Sequence, residues 1–360
     1  MVTLIFTTNP GLEDIVGQEF GQRLRQAGLA GPLTLELSPF GLKGNVLVGY
    51  DAPLEALWNV AQQMHSVHHV LTLIHSFDVP ETDTLEAIKQ AMIQCGVVAL
   101  EAAASFRVTT KRYGTHCFTS TDVQIAAGAG LVERYGTKVD LEGYAVNVRV
   151  DIHEWTGLVG LQLSRRSLSK RHQRLYTQRT SLKSVVAYAM LRLAELPHEG
   201  SALLDPFCGS GTILMEAASV FPQLAIYGSD SSDKAVEGTR RNLQQAGVVA
   251  AQLCHCNAQT LDEAYQKTRF RAIVTNPPYG VRLFRGRDLY VFYRDFLQSA
   301  YKVLEPGGKV VVLVWQRGVF NRAVHNLGLF RVVHKRWVET GGIFPRIYVL
   351  EPVVPGKVDG

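Results

Sequence analysis

The sequence predicts two architectures in one chain. The N-terminal half reads as mixed α+β, and the C-terminal half as α/β on a doubly wound, mostly parallel sheet with an antiparallel edge. Three observations carry this. From residue 184 onward, strand-length apolar runs alternate with helix-length amphipathic runs, the pattern of parallel strands joined by crossover helices. The tail breaks that alternation, because RVVHKRWVE and IFPRIYVLEP flank Gly341-Gly342 and read as an antiparallel pair at the sheet edge. Between the halves lies SRRSLSKRHQRLYTQR, residues 164–179, which has six Lys and Arg and no acid; its poor hydrophobic pattern reads as an exposed linker.

The elements follow in order. VTLIFT (2–7) suits a strand, Asn9-Pro10-Gly11 a turn, and Leu12, Ile15, Val16, Phe20 and Leu24 have helical spacing. LTLEL (33–37) and NVLVGY (45–50) are strands, followed by a helix over residues 53–64 and the strand HHVLTLIHSF (68–77). A helix over 84–92 precedes the alternating strand SFRVTTKR (105–112). Thr119-Ser120-Thr121-Asp122 reads as a cap opening the helix VQIAAGAGLVERYG, with AVNVRVDIH (145–153) and LVGLQLS (158–164) as strands after it. Beyond the linker come a helix (184–196), strand ALLDPF, helix TILMEAASV, strand AIYGSD and a helix closed by Gly247. AQLCHC, FRAIVTNPP and KVVVLVW are further strands, with the helix DLYVFYRDFLQSAYKVL before the last.

At 360 residues with 46% hydrophobic content, the chain exceeds one small core and suits two or three domains. No uncharged apolar run reaches membrane-spanning length, and the start lacks a basic, then apolar, signal pattern, so a cytoplasmic location is expected. Five irregularly spaced cysteines suit a reducing compartment. Cys254-His255-Cys256 lacks the second ligand pair that a structural zinc site needs, so no metal is expected. No protein partner is evident. Residues 1–163 hold 10 Lys and Arg against 17 Asp and Glu, net −7; residues 164–360 hold 27 against 15, net +12. That asymmetry draws a polyanion to the second part, and Lys170, Arg171, Arg174 and Arg179, interleaved with His172 and Tyr176, fit phosphate contacts.

Four motifs carry chemistry. DPFCGSGT (205–212) lies between a strand and a helix, where ligands bind doubly wound sheets. Gly209 and Gly211 let the backbone approach a ligand, and the helix start offers free N–H groups. A dinucleotide binder wants a third small residue where Leu214 stands, and Asp205 would repel a pyrophosphate. A cofactor with a positive centre and an amino-acid tail, S-adenosyl-L-methionine, fits better. Asp230, 19 residues after Gly211 at the next strand tip, can accept both ribose hydroxyls. Asn257-Ala258 follows the third strand, where an amide can bond an adenine edge. In Asn276-Pro277-Pro278-Tyr279 the prolines cannot extend a ladder, so the Asn276 oxygen and the Pro277 carbonyl offer two acceptors to one amino group. Tyr279 can stack on the base that carries it.

In that order these motifs resemble those of the amino-methylating class I S-adenosylmethionine-dependent methyltransferases. SFRVTTKR, TSTDVQIAAGAG, VDLEGYAVNVRVDI and LVGLQLS look like a THUMP domain, an RNA-binding module. Nearly the whole chain resembles the THUMP-domain RNA guanine-N2-methyltransferases. The resemblance implies a ferredoxin-like domain at 1–60, a THUMP domain at 61–164, a basic linker at 165–183 and a Rossmann-like methyltransferase domain at 184–360. It implies methyl transfer to guanine N2 in structured RNA, with tRNA as partner and acceptor-stem guanine 6 as target; relatives act on ribosomal RNA guanines. By analogy Ser181, Leu182, Asp205, Cys208, Gly209, Ser210, Gly211, Asp230, Ser231, Asn257, Ala258 and Asn276 surround the cofactor, and Asn276 to Tyr279 hold the base. Lys111, Arg112 and Arg149 are the cations a THUMP surface could offer, and Arg282, Arg285 and Arg287 follow the catalytic loop. DNA adenine and protein glutamine methyltransferases also use Asn-Pro-Pro-Tyr, but the RNA-module-like N-terminal half speaks against them, and the intact motifs speak against a non-catalytic RNA binder.

Overall fold

The computed structural model describes residues 1–196, 200–278 and 289–353. They form two units, one of Met1–Thr8 and Glu13–Leu168, the other of Asn9–Leu12 and the chain from Ser169 onward. The first unit contains β1 (Val2–Thr7), α1 (Glu13–Gln26), β2 (Thr34–Leu37), β3 (Asn45–Tyr50), α2 (Leu54–Ala61) and β4 (His69–Asp78). It continues with α3 (Thr84–Gln94), β5 (Ser105–Thr109), β6 (Arg112–Tyr113), α4 (Ser120–Tyr135), β7 (Lys138–Val139), β8 (Val146–His153) and β9 (Thr156–Gln162).

Local chemistry sets these elements. Glu13 and Asp14 in the first turn of α1, and Arg23 and Arg25 in its last, complement the helix dipole. α4 starts on a capping box: Thr119 accepts from the Asp122 N–H while the Asp122 carboxylate accepts from the Thr119 N–H at 2.7 Å. It ends on Gly136 at φ +64°, a left-handed position that suits a residue without Cβ. The sheet runs β2-β3-β1-β4-β9-β8-β5-β7, with β6 on β8. β4 pairs antiparallel with β1 on one side and with β9 on the other. The two N-terminal segments read from the sequence share one continuous sheet, joined through β4.

The second unit contains α5 (Ser184–Leu193), β10 (Ala202–Asp205), α6 (Thr212–Val220), β11 (Ala225–Asp230), α7 (Asp233–Gln245), β12 (Gln252–His255), α8 (Leu261–Ala264) and β13 (Phe270–Thr275). α9 (Leu289–Val303), β14 (Leu304–Val314), α10 (Arg317–Leu327), β15 (Phe330–Trp337) and β16 (Arg346–Pro352) complete it. Its order is β12-β11-β10-β13-β14-β16-β15. The first five of these strands are mutually parallel, whereas β16 is antiparallel to both β14 and β15, as the tail pattern predicts. One face buries Phe292, Tyr293, Phe296 and Leu297 of α9 against Ile273, Val310 and Val312. Each such side chain contributes about 1.5–3 kcal/mol. The chain leaves β10 towards β11 and returns on β10's other side at β13, so a switch point opens at the carboxyl ends of β10 and β13. Among the described residues no helix is long and apolar enough to cross a membrane.

Candidate active site

The loop from β10 to α6 carries the glycines. Gly209 and Gly211 have φ of +54° and +76°, both in the left-handed region. A Cβ at Gly211 would stand 2.9 Å from Thr239 Cγ2. The close approach of α6 to β11 is made at Gly228 of the strand, where a Cβ would stand 2.5 Å from Leu214 Cδ1. A bulky residue at 214 is thus accommodated by a small one on the neighbouring strand. Cys208 beside the glycines is buried, and burial pushes its thiol well above the usual range, so it offers no thiolate nucleophile.

Two carboxylates stand at adjacent strand tips. Asp205 is 2% exposed; its Oδ1 accepts from Thr275 Oγ1 at 2.7 Å and from the Phe207 N–H at 3.2 Å. Burial, with a smaller push from the Asp230 charge, raises its pKa to about 7 against the pull of those donors. Asp230 closes β11 and fixes the loop, accepting from the Gly209 N–H and from the Ser232 N–H, each at 3.0 Å. Burial raises its pKa too, opposed by these N–H groups. Ser231 lies between, its carbonyl facing His255 Nε2 at 3.0 Å. After β12, exposed Asn257 accepts the Gln259 N–H on Oδ1 at 3.0 Å, and Ala258 behind it is buried.

The Thr275–Asp205 hydrogen bond ties the end of β13 to the tip of β10, and Asn276 follows directly. Asn276 Oδ1 is buried and, among the described residues, accepts from no donor. Pro277 is buried and Pro278 half-buried beside it. Tyr279, Arg282, Arg285 and Arg287 lie outside the described residues.

The strap after Ser169 is more than an exposed linker. Arg171 Nη1 donates to both oxygens of Glu216, at 2.7 and 2.8 Å, and His172 Nε2 lies 3.2 Å from the same carboxylate. Glu216 is fully buried in α6, so the Arg171 guanidinium compensates a charge inside the unit. Arg174 also turns inward: it reaches Ser184 Oγ at 3.3 Å, and burial depresses its pKa against the opposing Glu216 charge. Lys170 and Arg179 remain exposed. Ser181 Oγ meets Ser210 Oγ at 2.9 Å, which brings the strap's end onto the glycine loop; Leu182 beside it is buried.

In the first unit Lys111 is exposed, and its N–H donates to Asp151 Oδ1 at 2.7 Å. Arg112 is half-buried and holds His116 Nδ1 at 2.8 Å. Arg149, grouped with them in the sequence, is buried instead, paired with Asp151 at 2.7 Å and donating to Gln162 at 3.0 Å.

Comparison with known proteins agrees with this layout. A THUMP domain family matches residues 83–160, and a family described as RMKL-like, methyltransferase domain matches residues 171–346. A tRNA (guanine(6)-N2)-methyltransferase of Thermus thermophilus is 35% identical over 96% of this chain and 98% of its own. The chain belongs to the tRNA (guanine(6)-N2)-methyltransferase family. A relative of the same description from Archaeoglobus fulgidus is 28% identical over 74% of this chain and 78% of its own. The crystal structure of TrmN from Thermus thermophilus matches with a TM-score of 0.80 at 33% identity, over 98% of this chain and 100% of that one. SMU.472, a putative methyltransferase complexed with SAH, shares the fold at a TM-score of 0.79 and 18% identity.

As a member of this family the protein is an S-adenosylmethionine-dependent enzyme, and its site fits that cofactor. Two carboxylates of raised pKa at neighbouring strand tips favour a cation and oppose a pyrophosphate. Glycines at positive φ let the loop turn tightly at the carboxyl end of β10. Asp205 would face the methionine part, Asp230 the ribose and Asn257 the adenine. The sequence reading missed two buried residues of α7 that hold this loop. Thr239 Oγ1 donates to the Gly209 carbonyl at 3.0 Å, and Asn242 Nδ2 to the Ser210 carbonyl at 2.9 Å. Both share the buried face of α7 with Ala235, Val236 and Leu243, and that helical spacing is the signal that could have found them.

Proposed function

We propose that this protein transfers the methyl group of S-adenosylmethionine to the exocyclic N2 amine of guanine 6 in tRNA, in the cytoplasm. The observation that carries the chemistry is the buried Asn276 Oδ1 with no donor among the described residues, one position beyond the Thr275–Asp205 bond. A buried acceptor without a partner costs about 1–3 kcal/mol, and an amine N–H relieves it. An aromatic amine is a weak nucleophile because its lone pair is delocalised into the ring. Asn276 Oδ1 and the Pro277 carbonyl would accept hydrogen bonds from its two N–H groups, turn the nitrogen towards tetrahedral geometry and aim the lone pair. Residues of the glycine loop with Asp205 and Asp230 would hold S-adenosylmethionine, which would supply an electrophilic methyl on a positively charged sulfur and leave as S-adenosylhomocysteine when the S–CH3 bond breaks. The remainder is in-line positioning. No strong base is required, since the methylated cation is acidic and loses its proton readily.

A guanine inside a stem must be extruded to reach Asn276, at a few kcal/mol. Lys170, Arg179, Lys111, Arg112, Arg282 and Arg285 are the proposed phosphate contacts. The test is labelled-methyl transfer to tRNA transcripts with guanine or adenine at position 6, with nucleoside mass spectrometry of the product. N2-methylguanosine formed with the guanine transcript and lost with the adenine one supports the assignment; equal labelling of both, or labelling confined to ribosomal RNA, refutes it.

A further inference from the structure

We infer that Asn242 is a positioning residue that locks the basic strap to the cofactor loop, so that the two respond as one element. This rests on reading residues 205–212 as the S-adenosylmethionine loop. Asn242 lies in α7 and is fully buried. Its Oδ1 accepts from the Leu175 N–H at 2.8 Å and the Tyr176 N–H at 2.9 Å. Its Nδ2 donates to the Tyr176 carbonyl at 2.7 Å and to the Ser210 carbonyl at 2.9 Å. One amide thus uses both acceptor sites and both N–H groups, three on the strap and one on the loop.

The surroundings serve the same junction. Gly238, one turn earlier in α7, lets the Tyr176 ring lie on the helix; a Cβ there would stand 2.2 Å from Tyr176 Cδ1. A glycine inside a helix is unfavourable, and this ring gives it a structural reason. Gln178 Nε2 donates to the Tyr176 hydroxyl at 3.0 Å, while Gln178 Oε1 would stand 3.1 Å from a Cβ on Gly209. Ser181 Oγ accepts from the Gln178 N–H at 2.9 Å and meets Ser210 Oγ at the same distance. Thr239, on the same face of α7, holds the Gly209 carbonyl at 3.0 Å. Exposed Lys170 and Arg179 lie at either end of the locked segment. A phosphate engaged at those cations therefore bears on the carbonyls of Gly209 and Ser210, and RNA and cofactor affinities are coupled, reciprocally as linkage requires.

The test uses the full-length protein and S-adenosylhomocysteine as probe, by calorimetry with and without tRNA. The wild type binds the probe more tightly when tRNA is present. Asn242→Ala binds it roughly 5–20-fold more weakly, with the KM for S-adenosylmethionine raised in step and kcat within about threefold. The tRNA-dependent gain disappears, and the Leu175 and Tyr176 amides exchange faster. Gly238→Ala, which displaces Tyr176 but keeps Asn242, shows the same pattern more weakly and decides the matter should Asn242→Ala fail to fold. A merely structural role would lower the melting temperature and leave probe affinity and the KM-to-kcat split unchanged. Affinity within twofold of wild type in the folded variant overturns the inference, as does a wild type indifferent to tRNA. A wild type that binds no probe overturns the reading of the loop instead.

Discussion

Asn276→Ala separates the roles a buried amide can play. A structural amide is bonded, and its loss destabilises; Asn276 Oδ1 accepts from no described residue. Its burial without a donor carries a penalty of about 1–3 kcal/mol in the free enzyme. Truncation removes that penalty together with some packing of a half-buried side chain. The variant's melting temperature is therefore expected to equal the wild type's or to exceed it by about 2–4 °C, the shift that about 1 kcal/mol gives in a domain of this size. Turnover moves the other way. Losing one hydrogen bond to the reacting amine, about 1–3 kcal/mol, slows transfer roughly 5–150-fold. Affinity for S-adenosylhomocysteine is expected to hold. The assay pairs scanning calorimetry with single-turnover methyl transfer to tRNA at saturating cofactor. Near wild-type turnover, or a melting point several degrees lower with turnover intact, would make this oxygen a structural acceptor and refute the reasoning.

Four further outcomes are expected. Asp205, with its pKa raised to about 7 by burial, is increasingly protonated below neutrality; a cationic ligand prefers the carboxylate, so cofactor affinity falls towards tenfold per pH unit below about 7 and levels off above it, with proton release on binding measured calorimetrically in buffers of different ionisation heat. Lys170→Ala with Arg179→Ala lowers the salt slope of tRNA binding by about 2 without changing the melting temperature, since each lost phosphate contact removes about 0.9. Arg171→Ala lowers stability by about 3 kcal/mol in chemical denaturation, because Glu216 stays buried and loses its main partner. Gly211→Ala, at φ +76° and against Thr239, costs about 1–2 kcal/mol in the same measurement and weakens S-adenosylhomocysteine binding.

The places of the candidate site residues in the fold were legible because each motif sits where a strand ends and a loop turns, and such punctuation is local. DPFCGSGT between β10 and α6, Asp230 closing β11 and Asn276 after β13 all stand where alternation placed them. The capping box at Thr119 and the antiparallel β15–β16 pair were equally local. The strap was not. Its cations read as solvent-facing because Glu216 is hidden in an apolar helix 45 residues away from Arg171, and no short-range pattern links them. Arg149 misled for the same reason: in an alternating strand one face looks outward, yet Asp151 and Gln162 bury that guanidinium. SFRVTTKR read as one strand but divides into β5 and β6, both pairing with β8. β7 went unread because it has only two residues, whereas α10 went unread although Phe320, Ala323 and Val324 recur at helical spacing on its buried face.

The double pairing of β4 bears on how this protein can be cut and recombined. A fragment starting at residue 61 would strip β1 from one flank of a ten-residue strand and leave its amides and carbonyls open to other chains, an invitation to aggregate. A chimera that exchanges the RNA-binding module alone would inherit the same raw seam. The smallest transplantable N-terminal piece therefore runs through Leu168.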